Sequence, residues 1–483
     1  MIGLILLPLV WASLAFVLGP GRGKWLAMAG LTIQAWLAFT LAQQVSAGGI
    51  AMGHQVGGWG APLGVDLAAD GLSSAMLLLT QCVALPLAIY ASAYYKRDDA
   101  AGAYFWPLTG FLIAGLNALF LSADFFNIYV TLELVSLAAV GLVAAGGGAQ
   151  QITAALRYLF ATLVGSGLYL LGVALLYGVY GTVAIEHVSL LVTGEAPRLV
   201  WIAFGLMVVG LMVKTALFPF HYWLPPAHGG SPAPVSALLS ALVVKASFYL
   251  MLRLWIGPFA PLVAAAPWLA WGPAALGTLA IFWGSWQAIR AVRLKMLIAY
   301  STVSQLGYLF LIFPLLTGPG AIQAGVMQAF AHGLAKASMF VAAGVFIKAT
   351  GQDTVAGLAG TVDRLPVTLF AFGLSGVTLM GLPPSSGFLA KWQLIEAALN
   401  QGHWWLVLVV LAGGLLAAVY VFRVLRQAFL LAPANTPGAP LAPLMPVPRT
   451  LEWTAFALAL ASVLLGLRGV ELMHLLQAVG AVA

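Results

Sequence analysis

Apolar stretches close to 20 residues long recur from Met1 to the segment that ends before Arg468, and each is long enough to cross the ~30 Å hydrocarbon core of a bilayer as a helix. A transmembrane barrel would instead alternate polar and apolar residues over strands of about 10 positions, and these stretches do not alternate. The composition points the same way. Of 483 residues, 62% are hydrophobic and only 7% charged, whereas a soluble domain carries roughly 25% charged residues. The fold class is therefore an all-α polytopic membrane protein.

About fourteen spans are expected, near 1–19, 25–46, 70–95, 104–122, 124–146, 152–178, 199–224, 234–255, 265–289, 296–315, 320–347, 366–398, 404–429 and 451–467. The Pro-rich stretch 431–450 reads as a loop, and no soluble domain is expected. The formal charge of +7 is scattered through short connections rather than clustered, so it sets topology and does not indicate nucleic acid. Odd-numbered connections and the span ends that flank them carry Arg22, Lys24, Lys96, Arg97, Arg157, Arg290, Arg293, Lys295, Lys348, Arg364, Arg423, Arg426 and Arg449, against Arg198 and Arg253 on the even side. By the positive-inside rule the odd side is cytoplasmic and both termini lie outside; the membrane expected is a bacterial cytoplasmic (inner) one. The first segment has no basic n-region, and Arg22 and Lys24 follow it, so it reads as a span and not a signal peptide. Cys82 stands alone in an apolar helix, so neither a disulfide nor a four-cysteine iron–sulfur site can be built within the chain.

The stretch "GLMVVGLMVKTALFPFHYWLPPAH" (205–228) places one cation, Lys214, in an apolar helix and then interrupts it at Pro219 and Pro225. Lys245, Lys336 and Lys391 are similarly embedded, with Glu133 and His332. A lysine at a helix centre costs about 2.5–3.5 kcal/mol on insertion scales, and one at mid-depth is too far from either surface to snorkel. Inter-helix ion pairs are the structural alternative, but four lysines cannot pair with one deep glutamate. An unpaired ammonium in low dielectric releases its proton more readily than one in water, which suits a reversible proton carrier. A lone buried histidine is more often structural, yet His332 and Lys336 in "AHGLAKASMF" are four apart and share a helix face.

"SGVTLMGLPPSSGFLAKWQLIE" should break the twelfth span at Gly381, Pro383 and Pro384. Lys391 follows that break, whereas Lys214 precedes the break at Pro219 in the seventh span. Two consecutive units of five helices must have opposite orientation, because five is odd. The expected organisation is three N-terminal helices (1–103), a first five-helix unit (104–255), a second, inverted unit (265–429), and a last helix with the C-terminus (451–483). Inverted repeats with discontinuous helices are the architecture of ion-coupled transporters, and freed backbone groups at such breaks need protein or water around them.

"DFFNIYVTLELVSLA" (124–138), "KTALFPFHYWLPPAHGGSPAPVSALLSALVVKASFYLMLR" (214–253), "LKMLIAYSTVSQLGYLFL" (294–311), "AHGLAKASMFVAAGVF" (331–346) and "GLPPSSGFLAKW" (381–392) resemble the antiporter-like membrane subunit family. That family comprises the proton-pumping subunits of respiratory complex I, the D-type subunits of Mrp Na⁺/H⁺ antiporters, and membrane-bound hydrogenase subunits. The resemblance implies fourteen helices with two inverted half-channels joined by a polar axis in the membrane plane. It implies that Glu133 pairs with Lys214, that Lys245 bridges the halves, that His332 and Lys336 continue the axis, and that Lys391 ends it. Pro226 departs from the aspartate found there in many relatives, which removes a polar role at that site but leaves the lysine axis.

No GxGxxG follows a strand, no cysteine cluster is present, "GPGRGKW" lacks Walker spacing, and His221 and His228 have no acidic neighbours to make a zinc HExxH. No catalytic site, cofactor or metal is expected in the chain. The function expected is a proton-translocating, or Na⁺/H⁺-exchanging, membrane subunit whose partners are other membrane subunits of the same complex. The alternative is the membrane proton-channel subunit of a CO₂- or bicarbonate-uptake complex, which the residues do not separate from the first.

Overall fold

The structure, a computed structural model, describes residues 1–96, 99–430 and 445–478. Among these, eleven helices are long and apolar enough to cross a membrane by length and composition. The expectation of fourteen spans differs from that number at three places, each with a physical reason. Ile2–Gly48 is one continuous run of 47 residues, but Gly19 (φ 76°, ψ 175°) is not helical. The run folds there into a hairpin. Gln34 donates to the Leu4 carbonyl at 3.3 Å, and a Cβ on Gly30 would strike Trp11 at 2.4 Å, so the two limbs lie antiparallel. Trp271–Arg290 is helical over 20 residues, but Gly, Ser, Gln and Trp dilute its hydropathy. The twelfth expected span is two pieces, Pro366–Met380 and Ser386–Asn400, of 15 residues each; at 1.5 Å per residue neither crosses alone.

Helices pack where small residues let backbones approach. A Cβ on Gly210 would meet the Gly165 carbonyl at 2.4 Å, and one on Gly307 would meet the Gly277 carbonyl at 2.3 Å. The centre of the bundle is Ala321–Thr350, 30 residues long and buried along nearly all of its length. It carries His332 and Lys336 at mid-length.

The connections sort onto two faces. One holds Lys96, Arg293 and the segment around Asp353, where Arg293 pairs with Asp353 at 2.5 Å. The other holds a short antiparallel ribbon, Met52–Gln55 with Asp66–Ala69. There Asp70 caps Gly71–Tyr94 in a reciprocal box with Ser73 and binds Arg253 through both carboxylate oxygens. Arg253, placed in a connection by sequence, is thus the charged end of a helix. The ribbon was not expected. The loop expected over 431–450 lies mostly outside the described residues, and Arg449 already belongs to the helix Arg449–Leu467.

Candidate functional site in the buried lysine file

Arg198–Thr215 ends in a Schellman-type turn. Ala216 is left-handed (φ 57°), its N–H bonds the Val213 carbonyl at 3.1 Å, and the Leu217 N–H bonds the Met212 carbonyl at 3.1 Å. The chain then passes Pro219 and re-forms a short turn, Phe220–Trp223, before Leu224–Gly230. Pro225, expected as a second break, instead lies in the first turn of Leu224–Gly230, where a missing N–H costs nothing. Trp223 reaches back to donate its indole N–H to the Val213 carbonyl at 3.0 Å.

Lys214 occupies the last turn before that break, where the helix dipole favours a cation. Its Nζ donates to Ser136 Oγ at 2.7 Å and lies 3.9 Å from Glu133 Oε1. That separation is an ion pair without a direct hydrogen bond, a gap that a bridging water would close. Glu133 keeps 19% of its side chain exposed while Lys214 keeps 3%. The carboxylate is the outer member of the pair.

The second break repeats the first in backbone pattern. Gly381 is left-handed (φ 82°), its N–H bonds the Thr378 carbonyl at 3.2 Å, and the Leu382 N–H bonds the Val377 carbonyl at 3.1 Å. Thr215-Ala216-Leu217-Phe218-Pro219 and Met380-Gly381-Leu382-Pro383-Pro384 thus match position by position. Lys391, one turn into Ser386–Asn400, turns back over the break. Its Nζ donates to the carbonyls of Leu379 at 2.7 Å and Met380 at 3.0 Å and sits 4.5 Å from the centre of the Tyr308 ring. A Cβ on Gly381 would meet Lys391 Cδ at 2.5 Å, so glycine is required there twice over, for the turn and for the lysine.

Between the breaks lie Lys245, His332 and Lys336, all fully buried. Leu239–Val243 forms a π turn, which leaves carbonyls out of the α ladder, and Lys245 donates to one of them, that of Ser240. Lys336 donates to Ser301 Oγ and, at 3.0 Å, to the Ile298 carbonyl. His332 has no hydrogen-bond partner among the described residues at either ring nitrogen. It lies within Coulombic range of Lys245, Lys336 and a second histidine, His228. His228 is equally buried, equally unpartnered among the described residues, and near Lys245, Lys295 and Lys336.

The structure thus brings Glu133 to Lys214, and Lys245 to His332 and Lys336, while Lys391 stands apart on its own carbonyls. Sequence reasoning missed His228, dismissed for want of acidic neighbours. It also placed Lys295 in a loop, whereas that side chain is buried and donates to the Ser231 carbonyl. Lys214 holds the one ion pair in this file among the described residues. Otherwise hydroxyls and main-chain carbonyls hold the ammonium groups, which needs no compensating anion. Among the described residues no group of three or more His, Cys, Asp or Glu side chains could hold a metal ion.

Residues 122–417 match the family described as NADH:quinone oxidoreductase/Mrp antiporter, transmembrane. The chain is 35% identical over 387 residues to an NADH-quinone oxidoreductase subunit of Desulforudis audaxviator, covering 78% of this chain and 75% of that one. It is 29% identical over 378 residues to an Na⁺/H⁺ antiporter subunit of Bacillus subtilis, covering 77% and 75%. A chain of the Mrp complex from Dietzia sp. DQ12-45-1b superposes with a TM-score of 0.89 at 26% identity, over 98% of this chain and 95% of the other.

Proposed function

Because this chain belongs to the NADH:quinone oxidoreductase/Mrp antiporter transmembrane family, we propose that it is the proton-translocating, or Na⁺/H⁺-exchanging, membrane subunit of a larger complex. It lies in the cytoplasmic membrane with the Arg293 face inside. Protons pass along Glu133, Lys214, Lys245, His332 with Lys336, and Lys391, and His228 lines the same stretch. The observation that carries this reading is the set of buried lysines held by neutral oxygens. A carbonyl or hydroxyl cradle accepts a charged ammonium yet tolerates a neutral amine, so the proton can leave without stranding a counter-charge. A proton on one lysine disfavours a proton on the next, which couples the sites in sequence. Energy comes from partner subunits or an ion gradient.

The fourteen-span architecture with inverted units 104–255 and 265–429 belongs to the same proposal. The matched turns at Ala216 and Gly381 support it, and so does direction. Arg198–Gly230 ends beside Arg293 and Asp353, whereas Ser386–Asn400 ends at the opposite face, where Gln401 bonds the Leu315 carbonyl at 2.9 Å. Ser136 also stands as far before Ala216 as Ser301 stands before Gly381. Each of these serines accepts from a buried lysine, Lys214 or Lys336.

The test is proton uptake in everted membrane vesicles. Lys214→Ala should insert at the wild-type level, because the half-helix keeps its apolar packing, and transport should fall to background. Uptake at a near wild-type rate would refute the lysine axis.

A further inference from the structure

The kink at Gly19 has a neighbour that the transport reading leaves unused. Beside the hairpin tip, on the Arg293 face, opens a cavity of about 800 Å³ lined by Arg22, Lys24, Lys96, Trp25, Tyr95 and Trp106, among others. Among the described residues no carboxylate lines it, and none of the three cations has an ion pair. The adjacent cavity of about 370 Å³, which shares Tyr95, contains Asp99 and Asp353 with Arg293 and Lys295. Its charge is balanced internally. Among the described residues the hairpin cavity is not balanced, and its three cations suit an anion.

The surroundings identify the kind of anion. Phe16 and Val17, just before the kink, are 67% and 79% exposed, and Trp25 is 65% exposed. Leu18 and Trp25 line the cavity itself and Phe16 and Val17 directly precede it in the chain, so apolar surface adjoins the cations, and tryptophan favours the membrane–water boundary. Lys24 Nζ lies 5.1 Å from the centre of the Trp25 ring, a contact that holds the ammonium at the rim. A ligand that suits both parts has a phosphate at one end and acyl chains at the other. We propose that the cavity between the Gly19 kink and the Tyr95–Lys96 end of the neighbouring helix binds the headgroup of an anionic phospholipid, with its chains along Phe16 and Val17. Basic pockets between transmembrane helices take such headgroups. This inference does not depend on the transport reading, because its measurement contains no transport.

The test uses the purified full-length chain in neutral detergent, with thermal unfolding followed as lipid is added. Phosphatidylglycerol should raise the midpoint saturably in the wild type, and phosphatidylcholine should not. Each single change, Arg22→Gln, Lys24→Gln or Lys96→Gln, should weaken apparent binding roughly fivefold, given the ~1 kcal/mol that each cation adds near an anionic surface. The triple variant should show no saturable shift. Lys24→Arg with Lys96→Arg should retain it, which separates lost charge from lost folding. An undiminished shift in the triple variant overturns the proposal, as does an equal shift with phosphatidylcholine. Inorganic phosphate producing the whole shift by itself would make this a soluble-anion site and overturn the lipid assignment. So would a wild-type chain that ignores phosphatidylglycerol because an acidic protein segment co-purifies in the cavity.

Discussion

The two helix breaks share a backbone and differ in what satisfies it. At Thr215–Pro219 the buried Val213 carbonyl takes the neutral indole of Trp223 in addition to the Ala216 N–H, and Lys214 is left to face Ser136 and Glu133. At Met380–Pro384 the freed carbonyls of Leu379 and Met380 are capped by Lys391 itself. One break uses an aromatic donor on its loose end and keeps its lysine for a carboxylate. The other uses the lysine as the cap. The same turn therefore yields two kinds of site, a counter-ion pair whose strength depends on a side chain, and a carbonyl cradle whose strength depends on backbone pose.

The largest effect that tests this difference is at Lys391. Lys391→Ala should reduce net proton transport to background while leaving the Glu133–Lys214 end accessible to water. Cysteines introduced beside each lysine in a Cys82→Ser background, probed with a membrane-impermeant thiol reagent, should label from opposite faces. Labelling of both from a single face would remove the two-half-channel arrangement.

Glu133→Gln should come next, slowing vesicle transport about tenfold, the equivalent of a pair interaction of ~1.4 kcal/mol. Lys214→Arg should instead fall to background with Lys214→Ala, because arginine keeps its charge and does not release its proton, whereas in Glu133→Gln the lysine still titrates but without the bias of the carboxylate. Normal transport in the Gln variant would mean that Ser136 alone positions Lys214, and that the two breaks are alike after all.

The smallest effects belong to the turns themselves and should have opposite signs. Gly381→Ala forces an L-residue into left-handed geometry, about 1–2 kcal/mol, and drives a methyl into the Lys391 stem. Thermal unfolding should show that loss, and transport should slow several-fold. Ala216→Gly relieves the same strain at the first break, where no lysine stem lies over the turn. Stability should rise by up to ~1 kcal/mol, with transport unchanged. Equal transport defects in both variants would show that the lysine, not only the turn, is shared.

Much of this was legible in the sequence because it depends on residue type. The spans, the proline-marked breaks and the buried cations are all chemical identities at positions. The cradles were not legible, because any residue supplies a carbonyl. Nothing in "LSALVVKAS" announces that a π turn will free the Ser240 oxygen for Lys245, and nothing in "RLKMLIAYS" announces that Lys295 will fold inward onto Ser231. His228 was passed over because its neighbours in sequence are apolar or glycine, although in space its surroundings are lysines. Pro225 misled for the opposite reason: a proline marks a break or a beginning, and only the chain on either side decides which.

The main-chain cradle also bears on heredity. A carboxylate such as Glu133 can be deleted by one codon change, but no single substitution deletes the carbonyls of Leu379 and Met380. Random change can reach the Lys391 cradle only by altering the lysine or the few positions that hold its pose, Gly381 first among them. A lineage of such chains is therefore free to drift at Leu379 and Met380 through any side chains that keep the turn, while the Glu133 end stays open to loss or exchange of its acid. The two halves of one molecule offer mutation very different targets.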